Sequence, residues 1–317
     1  MPGILTFCFA NCLVSRRVIY FLFFACLANP VHADSLTVSV VLSDTSQPYQ
    51  HFSAGFHKFF AKNNADVVVV ESYADEKPKA GRNEKFDLIV AVGSKATELA
   101  LTNSNAPLLS IMVPKAGYDA LLDKHSPQKL PKTVSAIYLD QPWSRQLNFI
   151  QAALPKHNIV GVLYSPNTHI VLPRLPRGMS LNAKSVRSTD ILFDTLENIL
   201  ISSDVLLVIP DSEIYSSNNV RNILLTSYRY KVPLIGISQA YVNAGALGAI
   251  FSTPEQLAEQ AGEMIDSFAK SRQLPEPQYP LLFSISLNQQ VARSLGIVLD
   301  SQEVILERMN KGGEGGR

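Results

Sequence analysis

Gly236-Ile237-Ser238-Gln239-Ala240 comes within one residue of the G-x-S-x-G nucleophile elbow, and it stands where an apolar strand turns into a short helical run. A serine in that position attacks a carbonyl only with a general base, and in an α/β-hydrolase the histidine follows the serine along the chain. The last histidine here is His169, so Ser238 is expected to donate a hydrogen bond rather than to act as a nucleophile.

Val92-Gly93-Ser94-Lys95 lacks the second glycine that a phosphate-cradling loop needs before its lysine. His51, His57, His125, His157 and His169 show no i, i+4 pair, so no metal site is expected, and no cofactor is implied. Asp44, Asp140 and Asp211 each follow a predicted strand, where a carboxylate suits a general base or an acceptor for an amine. The plainer role is a turn or helix cap, above all for Asp140. No two carboxylates stand at a spacing that indicates acid–base catalysis.

The elements that must hold these residues alternate with regularity. Strands are predicted at Leu36 to Leu42, Val67 to Val70, Phe86 to Val92, Pro107 to Val113 and Thr133 to Leu139, from their runs of β-branched and other apolar residues. Helices are expected from Tyr49 to Asn63, whose Phe52, Phe56, Phe59 and Phe60 form a stripe, and from Lys95 to Leu101 with Ser94 as N-cap. The loop from Pro114 to Pro131 has room for a short helix at most. Five strands with interleaved helices make a parallel doubly wound sheet.

Asp140-Gln141-Pro142 opens a second unit of the same kind. Its predicted strands are Ile159 to Tyr164, Val205 to Ile209, Leu234 to Ile237 and Ala249 to Phe251, and its predicted helices are Trp143 to Leu154, Asp190 to Ile201 and Asn219 to Lys231. Pro173 and Pro176 exclude a full crossover helix between Thr168 and Arg187. A long helix is expected from Pro254 to about Ser271 with Thr253 as N-cap. An extended crossing segment from Gln273 to Pro280 follows, then a strand from Leu281 to Ser286 and two short helices. The fold class read from this pattern is α/β, two successive parallel units with an extended late segment that could cross between them. Loops after the carboxyl ends of such strands are where ligands bind.

The first 33 residues read as a secretory leader: Arg16-Arg17, an apolar run from Val18 to Ala28, and Val31-His32-Ala33 before a cut at Asp34. The alternatives are an uncleaved anchor, for which the apolar run is short, and lipidation at Cys26. Cys8, Cys12 and Cys26 all fall in this segment, so the mature chain carries no disulfide, thiolate metal site or cysteine nucleophile. Its 284 residues hold 26 basic and 27 acidic side chains with no basic block, which excludes nucleic acid as an expected partner. No later run approaches a membrane span. The tail, 310–317, is glycine-rich and expected to be disordered.

Val232 to Ser252, Phe283-Ser284-Ile285-Ser286-Leu287-Asn288 and Ala292-Arg293-Ser294-Leu295-Gly296 resemble the substrate-binding proteins of ABC transporters of tryptophan/tyrosine type. So do Leu139-Asp140-Gln141-Pro142 and Gly161-Val162-Leu163-Tyr164-Ser165-Pro166-Asn167. The resemblance implies a periplasmic binding protein of type I, an α/β fold of two Rossmann-like lobes with parallel sheets joined by a multi-strand hinge. It places an amino-terminal lobe at 34–141 plus 253–277 and a carboxyl-terminal lobe at 142–252 plus 278–309, which close on a small-molecule ligand for an ABC transporter permease. Carried over by position, contacts come from Ser43, Asp44, Gly93, Ser94, Val113 and Pro114 on one lobe, and from Ser165, Asn167, Asp211, Ser212, Ser238 and Tyr241 on the other. Gly236 to Tyr241 is expected to face Gly93-Ser94. The localisation implied is the periplasm, with the membrane reached only through a partner or a lipid at Cys26.

Three departures stand out. Lys95 follows Ser94 and either faces away or offers a charge to an anionic group. Met112-Val113-Pro114 replaces a Thr-Asp-Pro, and prolines break the segment after Thr168. They imply a more apolar ligand than an amino acid, or a sensing or partner-binding module of the same fold with an altered or lost pocket.

Overall fold

The structure is a computed structural model that describes residues 35–63, 67–76, 85–125, 133–168, 171, 173–187 and 191–311. The expected leader and its cleavage point, Cys26 and the tail past Lys311 lie outside the described residues.

The inner strands of the first sheet are apolar runs buried on both faces, whereas the edge strand at Val67–Tyr73, for all its valines, has no fully buried residue. The strands of this sheet are β1 (Leu36–Leu42), β2 (Val67–Tyr73), β3 (Leu88–Val92), β4 (Leu108–Val113) and β5 (Val134–Tyr138), in the order β2-β1-β3-β4-β5. All its neighbouring pairs are parallel. Burial on both faces needs helices on both faces, and α1 (Gln47–Asn63), α2 (Ser94–Asn103) and α3 (Lys115–His125) supply part of that cover. The phenylalanine stripe does what its spacing predicts: Phe52, Phe56 and Phe60 are buried with Val38, Val40 and Leu42.

The second sheet has the order β11-β10-β9-β8-β6-β7. Its strands are β6 (Ile159–Tyr164), β7 (Ser180–Ser185), β8 (Val205–Leu207), β9 (Leu234–Gly236), β10 (Gly248–Phe251) and β11 (Ser284–Leu287). All pairs are parallel except β10 with β11. Helices α4 (Trp143–Ala153), α5 (Leu192–Ile201), α6 (Val220–Arg229) and α7 (Gln239–Ala244) interleave with these strands.

Helix α8 (Pro254–Ser271) leaves the second sheet yet packs on the first. Leu257, Ala261, Ile265 and Phe268 enter the core that holds β1 and α1. Its start carries the expected signature, with Pro254 in the first turn and a capping box between Thr253 and Gln256. The chain then crosses as an extended segment, in which Gln278 bridges to Ile137 beside β5. After β11 come α9 (Gln289–Leu295) and α10 (Gln302–Lys311). Leu36 onward forms one compact unit.

Four expectations need correction. The loop after β4 holds an 11-residue helix, α3, which Gly117 and weak amphipathicity concealed. The proline-broken segment contains β7, a polar edge strand whose SLNAKS sequence lacks the apolar alternation of a half-buried strand. Ser94 is the first residue of α2, and Gly93 occupies the cap position with φ 91. Helix α10 runs through Lys311, so Asn310 and Lys311 belong to it rather than to the tail.

Candidate functional site

A cleft of about 440 Å³ opens where loops at the carboxyl ends of both sheets meet. The first sheet contributes Ser94 after β3, Pro114, Ala116, Gly117 and Ala120 after β4, and Leu139 after β5. The second contributes Ser165, Asn167 and Thr168 after β6, Pro210 to Glu213 and Tyr215 after β8, and Ile237 and Tyr241 after β9.

Of the residues expected from sequence, Ser94, Pro114, Ser165, Asn167, Asp211, Ser212 and Tyr241 line this cleft. Ser94 therefore shares a cavity with Ile237 and Tyr241, as the facing-loop expectation requires. Pro114 reaches it through an irregularity in β4, where the register shifts between Ile111 and Val113 and Met112 takes a left-handed φ of 58.

Five expected contacts do not line it, and each has another occupation. Ser43 is buried, and its Oγ accepts from the Ala96 N–H at 3.1 Å, capping α2 from the end of β1. Gly93 is pressed by its neighbours: a Cβ there would lie 2.4 Å from Ser43 Oγ and 2.5 Å from the Tyr49 hydroxyl. Asp44 is exposed and accepts from Ser46 N–H at 2.7 Å, and the Ser46 hydrogen bonds hold its carboxyl below the ordinary range. Val113 is fully buried beside Tyr118 and Tyr138. Ser238 caps α7 by position, with no hydrogen bond from its side chain to the helix. Lys95 pairs with Asp75 at the surface and does not line the cleft.

Asp211 organises the second wall. Its Oδ2 accepts from Ser165 N–H at 2.6 Å and Thr168 Oγ1–H at 2.7 Å. Its Oδ1 accepts from Glu213 N–H at 3.0 Å and Ile214 N–H at 3.1 Å. Burial pushes its pKa up, but the hydrogen bonds from Thr168, Ser165 and Ile214 outweigh this and hold the carboxyl below its ordinary value. Both oxygens are occupied by the loop itself, so the expected acceptor for an amine is instead the brace of the wall.

Thr168 and Glu213 were not singled out by sequence. The Asn167 side-chain amide donates to Glu213 Oε1 at 2.7 Å, joining the two loops of the second wall. The only prior signals were Thr168's place after the Ser165-Pro166-Asn167 turn and Glu213's place two residues past Asp211. Tyr241 rests on Gly236, where a Cβ would lie 2.3 Å from the tyrosine Cβ, and burial pushes its hydroxyl pKa up to about 12.

A side cavity of about 190 Å³ shares Ala116, Thr168 and Pro210 with the cleft and is further lined by Lys115, Asp119, Asp140, Gln141, Trp143, Gln146, Val171, Ile209 and Tyr279. Asp140 Oδ2 accepts from Lys115 N–H at 2.5 Å, so the cap expected of Asp140 is realised at the start of α3. Burial pushes its pKa up to about 6 against the hydrogen bond from Lys115. The Lys115 ammonium lies 2.5 Å from Asp119 and 5.6 Å from the centre of the Tyr138 ring.

Beneath the cavities the three chain crossings are tied together. The Gln141 amide donates to Ser252 Oγ at 2.9 Å, and Ser252 Oγ–H donates to the Leu282 carbonyl at 2.5 Å. Arg145 donates to Gln141 Oε1 at 2.7 Å and to the Pro280 carbonyl at 2.9 Å. One buried cluster thus joins the segments after β5, after β10 and before β11.

The sequence profile of ABC transporter substrate binding proteins matches residues 78–310. The chain belongs to that family. No curated protein sequence matches it. Three solved structures share its fold. A substrate binding protein with adhesive properties from Clostridium difficile, in a ligand-free, open structure, is 17% identical with a TM-score of 0.64 over 84% of this chain and 97% of that one. A domain from Streptococcus pneumoniae in complex with L-Trp is 18% identical, with a TM-score of 0.58 over 86% and 98%. A conserved domain protein from Vibrio cholerae is 16% identical, with a TM-score of 0.58 over 86% and 98%. Among the described residues of this family member, no helix is long and apolar enough to cross a membrane.

Proposed function

We propose that this ABC-family substrate-binding chain captures a small organic solute in the cleft between its two lobes and delivers it to an ABC-type permease, without chemical turnover. The observation that carries the reading is the cleft itself: loops from both sheets line one cavity of about 440 Å³, a volume suited to a small molecule. A retained cavity favours solute capture over a partner-binding module whose pocket is lost. The lobes would be 34–141 with 253–277 and 142–252 with 278–309, and closure would follow from a ligand that contacts both. The leader at 1–33 supports export to the periplasm by cleavage before Asp34, with a lipid on Cys26 as the alternative that intact mass would separate.

Two measurements test this. Denaturing extraction of freshly purified protein followed by mass spectrometry should release a stoichiometric small molecule. A melting panel of amino acids, small acids, amines and lipids should show at least one stabilising compound, because a ligand that binds only the folded form raises Tm. No released solute together with a flat panel would end the proposal.

A further inference from the structure

Among the described residues, no lysine, arginine or histidine lines the cleft, whereas Asp211 and Glu213 do. The side cavity has one cation, Lys115, against two acids, Asp119 and Asp140. Lys115 is already matched, with its ammonium 2.5 Å from Asp119. Two of the helix starts near the cleft, where an anion would otherwise be attracted, also have a donor supplied from within. At α2 the Ala96 N–H donates to Ser43 Oγ, and at α3 the Lys115 N–H donates to the Asp140 carboxylate. A ligand carboxylate at the start of α3 would meet a resident carboxylate. An acceptor, in contrast, remains in the cleft. Glu213 uses only Oε1 to hold Asn167 among the described residues. The walls include the aromatic residues Trp143, Tyr279 and Tyr241, a residue class that suits a cation with an apolar body.

We propose that the cleft and its side cavity select an organic cation, an amine or quaternary ammonium compound with an apolar body and no carboxylate, whose charged nitrogen is held by Glu213 while Asp140 adds negative potential from the side cavity. The inference rests on the solute-binding reading and specifies the charge of the solute.

The test compares ligands of matched shape and different charge by calorimetry at low salt: tryptamine, L-tryptophan and indole-3-propionate, then phenethylamine, L-phenylalanine and 3-phenylpropionate, with benzyltrimethylammonium added. The cation of each series should bind roughly tenfold or more tightly than its zwitterion or anion. Glu213→Gln and Asp140→Asn keep an acceptor for Asn167 and for the Lys115 N–H, so both should fold; each should weaken the cation roughly tenfold and leave the uncharged parent indole unaffected. Tighter binding of a zwitterion or an anion overturns the charge assignment and leaves solute capture intact. If neither series binds, the solute released by denaturing extraction decides. A cation sustains the assignment, any other solute overturns it alone, and no solute with a flat panel overturns both readings.

Discussion

Asp211 and Asp140 are held in opposite senses by their surroundings, and their contributions to stability should depend on pH with opposite sign. The folded-state pKa of Asp211 is lowered, so its contribution is present above the ordinary carboxylate value and is lost as pH falls below that value through the lowered folded-state pKa. Asp211→Ala removes the acceptor for Ser165, Thr168, Glu213 and Ile214, and should cost about 2–4 kcal/mol in urea unfolding at pH 7. For Asp140 the folded state binds the proton more tightly, because burial pushes the pKa up to about 6. Its share of stability therefore falls as pH rises from about 4 to about 6. Asp140→Asn cannot titrate and should gain on the parent across that window, by up to about 3 kcal/mol, as followed by Tm against pH. The same two residues show where residue-level reading of the sequence succeeds and stops. Asp140 after a strand and before Gln141-Pro142 is legible as a cap from local order. The four donors that surround Asp211 come from loops up to 46 residues away, which no local pattern announces.

Among elements, the strands were legible because buried parallel strands are written as apolar, β-branched runs, as in Leu36–Leu42 and Leu88–Val92. β7 was not, since an edge strand buries little and SLNAKS has no apolar period. The N-cap of α2 was misplaced for a related reason: the side chain that serves it is Ser43, brought from 53 residues away by the pairing of β1 with β3. Cleft contacts inferred from strand ends alone share this weakness, which is why Ser43 and Gly93 proved to support the wall rather than to line it. The packing of α8 on α1 gives a direct test at this scale. A Cβ on Gly262 would lie 2.3 Å from the Phe59 ring, so Gly262→Ala should destabilise by about 1–3 kcal/mol despite its better helix propensity. Adding Phe59→Leu should recover part of that loss in the same unfolding assay.

At the scale of the whole molecule, the two sheets are connected by three crossings whose hydrogen bonds converge on Gln141, Ser252 and Arg145. Ser252 is 8% exposed, so its replacement by alanine leaves the Gln141 amide and the Leu282 carbonyl short of a buried partner. Ser252→Ala should cost about 1–3 kcal/mol and accelerate amide hydrogen exchange around Leu282 and Phe283 relative to the sheet interiors. That the chain makes two successive parallel units was legible from the alternation of strands and helices. The cluster that ties the crossings was not, because its members are scattered from residue 141 to residue 282. One member of the cavity wall carries a further consequence. Trp143 is the single tryptophan of the chain and stands in the side cavity between Gln141 and Gln146. Excitation of the unlabelled protein at the red edge of its absorption therefore isolates one indole beside the cavity. Its emission maximum should move when a solute displaces water there, which gives the protein an intrinsic optical readout of its own occupancy.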